Sequence, residues 1–173
     1  MRVGRGSTRL TPYRRRVRLA VVPTAGFYAI ESHRITFGKD GEWYSDGERI
    51  ANQRIADLFA RCVRRNPSGG YMLQMGDEKA PLEVEDTPFV IRQIEGDPRS
   101  GISVVLNDGS REVLEPGSLR SGADNALYCR VKGGECEARL LRPAYYALAR
   151  WIRDTDGRFA LRIGRRKYPI EPR

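Results

Sequence analysis

The sequence predicts an α+β fold of antiparallel strands, arranged as two ββαββ-like repeats with one helix each. Short runs of alternating apolar and polar residues are separated by glycine-containing turns, which is typical of β-hairpins. Two other segments have the apolar period of an amphipathic helix. A stretch of 15 residues also recurs 88 positions later in the chain, which indicates an internal repeat.

The recurring stretch covers 70–84 and 158–172. Each copy alternates apolar and polar residues around a central glycine, so each predicts a β-hairpin. Several matched positions are identical in the two copies: Leu73/Leu161, Gly76/Gly164, Lys79/Lys167, Pro81/Pro169 and Glu83/Glu171.

A helix is predicted before each of these hairpins. In 52–65 the apolar residues fall on one helical stripe, and Asn52 is a good N-cap. The spacing recurs in 143–153, where Pro143 suits the first helical turn. A strand pair precedes each helix, at 34–50 and 126–141, and completes each ββαββ unit.

Three more antiparallel strands are predicted between the copies, at 88–95, 101–107 and 111–116. We therefore expect an N-terminal repeat lobe at 35–95 and a C-terminal repeat lobe at 96–173 that includes the linking strands. A unit this short cannot bury both of its faces alone, so the lobes are expected to pack together.

The net charge of +9 is unevenly distributed along the chain. Residues 1–34 carry +7, 35–138 carry −5 and 139–173 carry +7. The basic segment 1–34 predicts a disordered tail; a misassigned start, a targeting signal and contact with nucleic acid are the alternatives. No apolar run reaches the ~20 residues that span a bilayer, so we expect no membrane association.

The cysteine and histidine content argues against a metal or redox centre. Cys62, Cys129 and Cys136 form no CxxC, and His33 is the only histidine. The sequence therefore predicts reduced thiols in a cytoplasmic protein, with no metal and no cofactor. GxSxG, P-loop, GxGxxG and HExxH motifs are absent from the sequence, which predicts a protein that is not an enzyme.

Several segments resemble the bacterial family known as domain of unknown function 1285, over roughly 35–170. The similar segments are "DGEWYSDGERI", "LFARCVRR", "GGYMLQ", "EKAPLEVEDTPFV" and "EARLLRPAYYALA". The resemblance implies an α+β fold with repeated motifs and a ligand-binding or signal-transduction role, without an established activity. The chain departs from the family pattern at Met75-Gly76. It also lacks the family's His-Pro after Asn107-Asp108-Gly109.

The stretch "LEVEDTPFVI" (82–91) places carboxylates directly before an apolar run. One interpretation is a turn between two strands, since Pro88 forces Thr87 into an extended conformation. The other is a cleft between the lobes that binds a cation or a hydroxyl-rich ligand. The candidate ligand-binding residues of that cleft are Trp43, Glu85, Asp86, Arg142 and Tyr146.

A second candidate site is basic. "RRK" at 165–167 stands where the first copy has "DEK" at 77–79, so the charge is reversed at the hairpin turn. The alternative is a solvated surface, which is the usual role of charge runs. The candidate anion-binding residues are Arg162, Arg165, Arg166 and Lys167.

Together these observations predict a non-enzymatic small-molecule-binding or regulatory protein that binds in the groove between its two repeats. The partner is expected to be an unknown small molecule or a protein. One alternative is a nucleic-acid-associated protein that uses the Arg-rich tail and Arg162–Lys167. The other is a hydrolase that uses Glu85 and Asp86.

Overall fold

The computed structural model describes residues 33–155 and 157–173, in which strands far outnumber helices. Apart from His33 and Arg34, the predicted disordered tail at 1–34 lies outside the described residues. Within the described ranges, no helix is long and apolar enough to cross a membrane. The elements are β1 Ile35–Phe37, β2 Trp43–Ser45, β3 Glu48–Arg49, α1 Gln53–Cys62, β4 Val63–Arg65, β5 Tyr71–Met75, β6 Glu78–Val84, β7 Phe89–Asp97, β8 Gly101–Leu106, β9 Arg111–Val113, β10 Arg120–Ser121, β11 Leu127–Val131, β12 Cys136–Leu140, α2 Arg142–Ala149, β13 Ile152–Thr155, β14 Arg158–Ile163, β15 Arg166–Pro169 and β16 Glu171–Pro172.

The first sheet has six strands in the order β3-β2-β1-β6-β5-β4. Helix α1 links β3 to β4, and the side chain of Asn52 caps it by accepting a hydrogen bond from the amide of Arg54 at 3.0 Å. The helix ends at Cys62, three residues before the predicted end. Val63 is already extended and pairs with Leu73 of β5, so strand pairing replaces the last helical turn.

The second sheet has seven strands in the order β16-β10-β11-β12-β7-β8-β9. Strands β7, β8 and β9 correspond to the three strands predicted between the copies. Strand β12 runs parallel to β7, with Arg139 opposite Val90. The chain enters this sheet from β6 through a short link, in which the buried Thr87 hydroxyl donates to the carbonyl of Phe89 and accepts from the amide of Arg139.

The third sheet contains β13, β14 and β15, all antiparallel. Helix α2 precedes it and ends at Ala149, because the residues from Ile152 onward pair with β14 instead of continuing the predicted helix. Strand β16 follows β15 after one residue, and it leaves the third sheet to pair with β10. The C-terminal hairpin therefore ties the third sheet to the second.

A continuous apolar core joins these parts. It extends from Ile35 in the first strand to Ile170 between β15 and β16. Trp43 is 1% exposed, and its ring lies 4.7 Å from that of Phe37 and 5.4 Å from that of Phe59. The lobes predicted at 35–95 and 96–173 thus share one core, while the division into lobes stays a prediction.

Candidate functional site

A groove of about 370 Å³ separates the first sheet from the second. One wall is the end of α1 with β4 and β5, and the other wall includes the hairpin of β11 and β12. We call it the Cys136 groove. The lining residues that matter for its chemistry are Arg61, Arg64, Arg65, Tyr71, Lys132 and Cys136.

Positive charge reaches the Cys136 thiol from both walls. Burial raises the pKa of this thiol, the nearby charges of Arg65 and Lys132 act in the opposite direction, and the carboxylates of Glu135 and Glu112 act with burial. Arg65 belongs to β4 and Lys132 to the turn that joins β11 to β12. Two cations from different sheets therefore lie close to the same half-buried sulfur atom.

Lys132 is held in place by acidic and polar neighbours. Its Nζ atom lies 2.7 Å from Oδ2 of Asp108, donates to Oγ of Ser110 at 2.7 Å, and lies 5.0 Å from the ring centre of Phe89. Burial acts to raise the pKa of Asp108, but the hydrogen bonds from Lys132 and Ser110 outweigh it, so the pKa is lowered. Lys132 is thus a fixed and largely neutralised cation.

The arginines on the other wall are not neutralised in this way. Arg64 donates to the carbonyls of Arg61 and Val63 at 2.8 Å and 2.7 Å, which fixes its guanidinium at the groove. In the ranges that the structure describes, Arg61, Arg64 and Arg65 form no ion pair with a carboxylate. The groove also has two lining acids, Asp108 and Glu135, so its lining keeps a net positive charge.

A second polar cluster surrounds Asp86, whose side chain is 12% exposed. Oδ1 of Asp86 accepts from Arg173 at 2.6 Å, and Oδ2 accepts from Arg139 and from the hydroxyl of Tyr128, both at 2.9 Å. The guanidinium of Arg173 also lies 4.2 Å from the centre of the Tyr128 ring. We call these four residues the Asp86 cluster.

The Asp86 carboxylate is stabilised in its charged form. Burial acts to raise its pKa, but the hydrogen bonds from Arg173, Arg139 and Tyr128 outweigh burial and lower it. Both oxygens are engaged by these donors. Asp86 is therefore suited to holding strands together and is poorly suited to general acid–base work.

Glu85 points to a different part of the molecule. It is exposed, and its Oε2 atom accepts from the backbone amide of Lys39 at 3.0 Å. Glu85 also lines a surface hollow with Arg34 and Tyr44. Glu85 and Asp86 thus have separate partners, and this arrangement does not provide the paired carboxylates that the hydrolase alternative needs.

Two other predicted ligand-binding residues lie together. Arg142 and Tyr146 line an open groove of about 670 Å³ at the start of α2, where Tyr146 is 68% exposed. Arg139 lines the same groove and links it to Asp86. Trp43 lies in the core of the first sheet, where a surface ligand cannot reach it.

The predicted anion-binding residues all lie on the hairpin of β14 and β15, and all four are exposed. Arg162 is directly opposite Lys167, and Arg166 is opposite Ile163. Arg165 lies in the turn between the two strands. Arg162 donates to the carbonyl of Gly164 at 3.3 Å.

The Cys136 groove was not among the predicted sites. The basic run "RCVRR" at 61–65 was a signal for one wall, but Lys132 and Cys136 come about seventy residues later in the chain. Across the described parts of the chain, no group of three or more His, Cys, Asp or Glu side chains is placed to hold a metal ion.

Comparison with known proteins shows which solved structures have a similar fold. No protein-family model matches the chain, and no curated protein matches it. Two crystal structures of DUF1285 family proteins do match. The protein from Silicibacter pomeroyi DSS-3 is 23% identical with a TM-score of 0.63, and the match covers 79% of this chain and 78% of that one. The protein from Shewanella baltica OS155 is 24% identical with a TM-score of 0.55, and the match covers 69% of this chain and 93% of that one. The chain therefore has the fold of these two proteins of the domain of unknown function 1285 family, which confirms the sequence resemblance at the level of fold.

Proposed function

We propose that the protein is a non-enzymatic, regulatory small-molecule-binding protein, and that its ligand is a small anion bound in the Cys136 groove. The observation that carries the proposal is the lining of this groove, which brings Arg61, Arg64 and Arg65 of one wall opposite the Cys136 thiol of the other wall. A groove of about 370 Å³ falls in the usual range for small-molecule sites. Among the described residues no carboxylate forms an ion pair with these arginines, and free guanidinium groups suit phosphate and carboxylate groups, which accept bidentate hydrogen bonds.

Binding fits the chemistry of the groove better than catalysis does. A cysteine acts as a nucleophile in its thiolate form, and burial raises the pKa of Cys136 so that the neutral thiol predominates near pH 7. His33, the one histidine of the sequence, is engaged by Asp46, with 2.5 Å between Nδ1 and Oδ2. His33 does not line the Cys136 groove and so is not placed to act as a base for the thiol.

We also propose that the two halves are copies of one ββαββ unit, as the recurring sequence predicts. The strand order β3-β2-β1-β6-β5-β4 has a counterpart in β12-β11-β10-β16 followed by β15-β14-β13. In this alignment β6 matches β15 and β16 together, since β6 pairs with both β5 and β1. Local hydrogen bonds match as well. Arg64 donates to the carbonyls of Arg61 and Val63, and Arg153 donates to those of Arg150 and Ile152.

A groove between two such copies suits a regulatory role. A ligand that contacts both walls favours the arrangement in which the walls are correctly spaced, and a change in that spacing is a signal that a partner protein can read. We further propose that the chain belongs to the domain of unknown function 1285 family, because it shares the fold of a protein of that family. We also propose a cytoplasmic location, because its cysteines are free and mainly buried.

The experiment is a thermal-unfolding screen of the full-length protein against inorganic phosphate, pyrophosphate, nucleotides and di- and tricarboxylates. A ligand at about 100 times its Kd adds roughly 2.7 kcal/mol to stability, which raises the Tm by several degrees. We expect Arg65→Gln to lose this shift. Arg54→Gln is the matched control, because Arg54 is an exposed arginine on α1 that does not line the groove.

Labelling of Cys136 gives a second readout. A bound anion should slow the reaction of this thiol with N-ethylmaleimide, and Arg65→Gln should abolish the protection. Equal stabilisation of Arg65→Gln and wild type by every active ligand would place the binding site elsewhere. If none of the anions in the screen stabilises the protein, the proposal that its ligand is a small anion is wrong.

A further inference from the structure

One face of the third sheet carries four cations. Arg162 pairs directly with Lys167, and Arg153 pairs directly with Ala160. Paired residues share a face of a sheet, and so do residues two apart on one strand. Arg158, Ala160 and Arg162 on β14 therefore lie on the same face as their partners. We call Arg153, Arg158, Arg162 and Lys167 the basic face; all four are exposed.

The basic face has more cations than nearby acids, although Glu171 lines the same hollow as Arg158 and Lys167. Among residues 33–155 and 157–173, none of its four cations forms an ion pair. Arg153 donates to two backbone carbonyls, and Arg162 donates to one. Arg162 and Lys167 are like charges directly opposite each other, which destabilises a sheet unless an anion binds between them.

The hairpin architecture does not require this charge. The matched hairpin of β5 and β6 has the same strand pairing and a comparable sequence, yet the positions that match the basic face keep only two of its four cations, and Asp77 and Glu78 stand at its turn. The pairs of matched residues are Arg64/Arg153, Gly70/Arg158, Gln74/Arg162, Asp77/Arg165, Glu78/Arg166 and Lys79/Lys167.

The spacing of the cations indicates an extended anion. Arg158 and Arg162 are four residues apart on one strand, which corresponds to about 13 Å. One phosphate group cannot reach both ends of such a face. Each strand of a duplex carries one phosphate per ~3.4 Å of helix axis, so a nucleic-acid backbone can contact several of these side chains at once.

Two other polyanionic partners fit this face less well. Membrane-surface proteins insert apolar side chains into the bilayer, and proteins that hold single strands stack bases on aromatic rings. Phe159 is the large exposed apolar residue of this sheet, at 56% exposure. It alternates with Arg158 and Ala160 along β14 and so lies on the opposite face.

We propose that the basic face docks on the phosphodiester backbone of a nucleic-acid duplex, without reading its sequence. This inference is independent of the anion proposed for the Cys136 groove. Arginine predominates over lysine on the face, and the guanidinium group binds phosphate through two parallel hydrogen bonds.

The test is fluorescence anisotropy of labelled 20-base-pair DNA and RNA duplexes with the full-length protein between 50 and 200 mM salt. The basic-face variant carries Arg153→Gln, Arg158→Gln, Arg162→Gln and Lys167→Gln. Because residues 1–34 contain eight more arginines, a control variant must remove the same charge elsewhere. It carries Arg54→Gln, Arg92→Gln, Arg99→Gln and Arg130→Gln, which are all exposed and lie outside the third sheet.

Four phosphate contacts correspond to a loss of affinity of about 100-fold over this salt range. We expect the basic-face variant to bind at least ten times more weakly than the control variant at 50 mM salt. Its dependence on salt should also be shallower by about 3.6 in the slope of log K against log salt concentration. A stronger effect on DNA or on RNA would identify the natural duplex. Equal losses in both variants, tighter binding of single strands, or no binding at 50 mM salt would overturn the proposal.

Discussion

The guanidinium of Arg173 lies 2.6 Å from Oδ1 of Asp86, although the two residues are 87 positions apart in the chain. The same carboxylate accepts a hydrogen bond from Arg139 of β12 at 2.9 Å. Asp86 itself lies in the link between the first and second sheets. One carboxylate therefore fixes the link, a central strand and the segment that follows β16.

Replacing this carboxylate should weaken the fold. A broken buried ion pair costs about 3–5 kcal/mol, and the partial exposure of this cluster reduces the expected loss for Asp86→Ala to about 2–3 kcal/mol. The loss in the free energy of unfolding is measured by urea denaturation, with circular dichroism as the signal. Glu95→Ala is the control, because it removes a carboxylate that is paired with Arg111 but is 32% exposed, against 12% for Asp86, and it should have little effect. Equal midpoints for the two variants would contradict a structural role for Asp86.

The stabilisation by Asp86 should depend on pH. Its pKa is lower in the folded protein than in the unfolded chain, so its contribution is fully present above about pH 4, the ordinary pKa of an aspartate. This contribution to stability is lost as the pH falls through the lowered pKa that Asp86 has in the folded protein. Wild type should thus exceed Asp86→Asn in urea midpoint by a constant amount above pH 5, and the two should converge in strong acid. A difference that persists unchanged at pH 2 would show that the charge of Asp86 is not what stabilises the fold.

Two glycines with nearly the same backbone conformation should respond differently to alanine. Gly41 has φ +82° and Gly47 has φ +84°, so both substitutions place alanine in the left-handed region, which costs about 1–2 kcal/mol. A Cβ atom at Gly41 would lie 2.9 Å from Cγ2 of Val90, whereas one at Gly47 would meet nothing within 4 Å.

We therefore expect Gly41→Ala to lose about 1–3 kcal/mol more than Gly47→Ala, which is the usual cost of overpacking a core. Thermal and urea denaturation of both variants measure the difference. Equal losses would mean that Val90 can move aside without cost.

The three thiols should differ in reactivity. Cys136 is half-buried, whereas Cys62 and Cys129 are buried, and burial raises the pKa of Cys129 to about 12. N-ethylmaleimide should therefore label Cys136 first, and the rate should rise with pH because the thiolate is the reacting form. Peptide mapping by mass spectrometry identifies the labelled site. Cys136→Ser should lack the fast phase, and rapid labelling of Cys129 would contradict the packing of β11.

The local elements could be predicted from the sequence because turns and apolar periods are local signals. The glycine pair at 133–134 does join two strands, and Asn52 does cap α1. The end of α1 could not be predicted in this way. The helical period continues to Val63, but pairing with Leu73 on a distant strand extends the chain there instead.

The candidate sites depended more heavily on distant contacts. Asp86 stood out in the sequence, but its partners Tyr128, Arg139 and Arg173 are 42 to 87 positions away. Nothing local to Asp86 indicates that donors occupy both of its oxygens. The Cys136 groove was missed for the same reason, because its two walls come from separate sheets.

The parallel pairing of β10 with β16 bears on how the chain folds. Ser121 lies opposite Pro172, so this edge of the second sheet closes only after some fifty further residues have been made. Contacts of such long sequence separation must overcome the entropy of loop closure before they stabilise anything. The second sheet is therefore expected to be completed after the ribosome has synthesised β16, and until then its β10 edge needs protection from pairing with other chains.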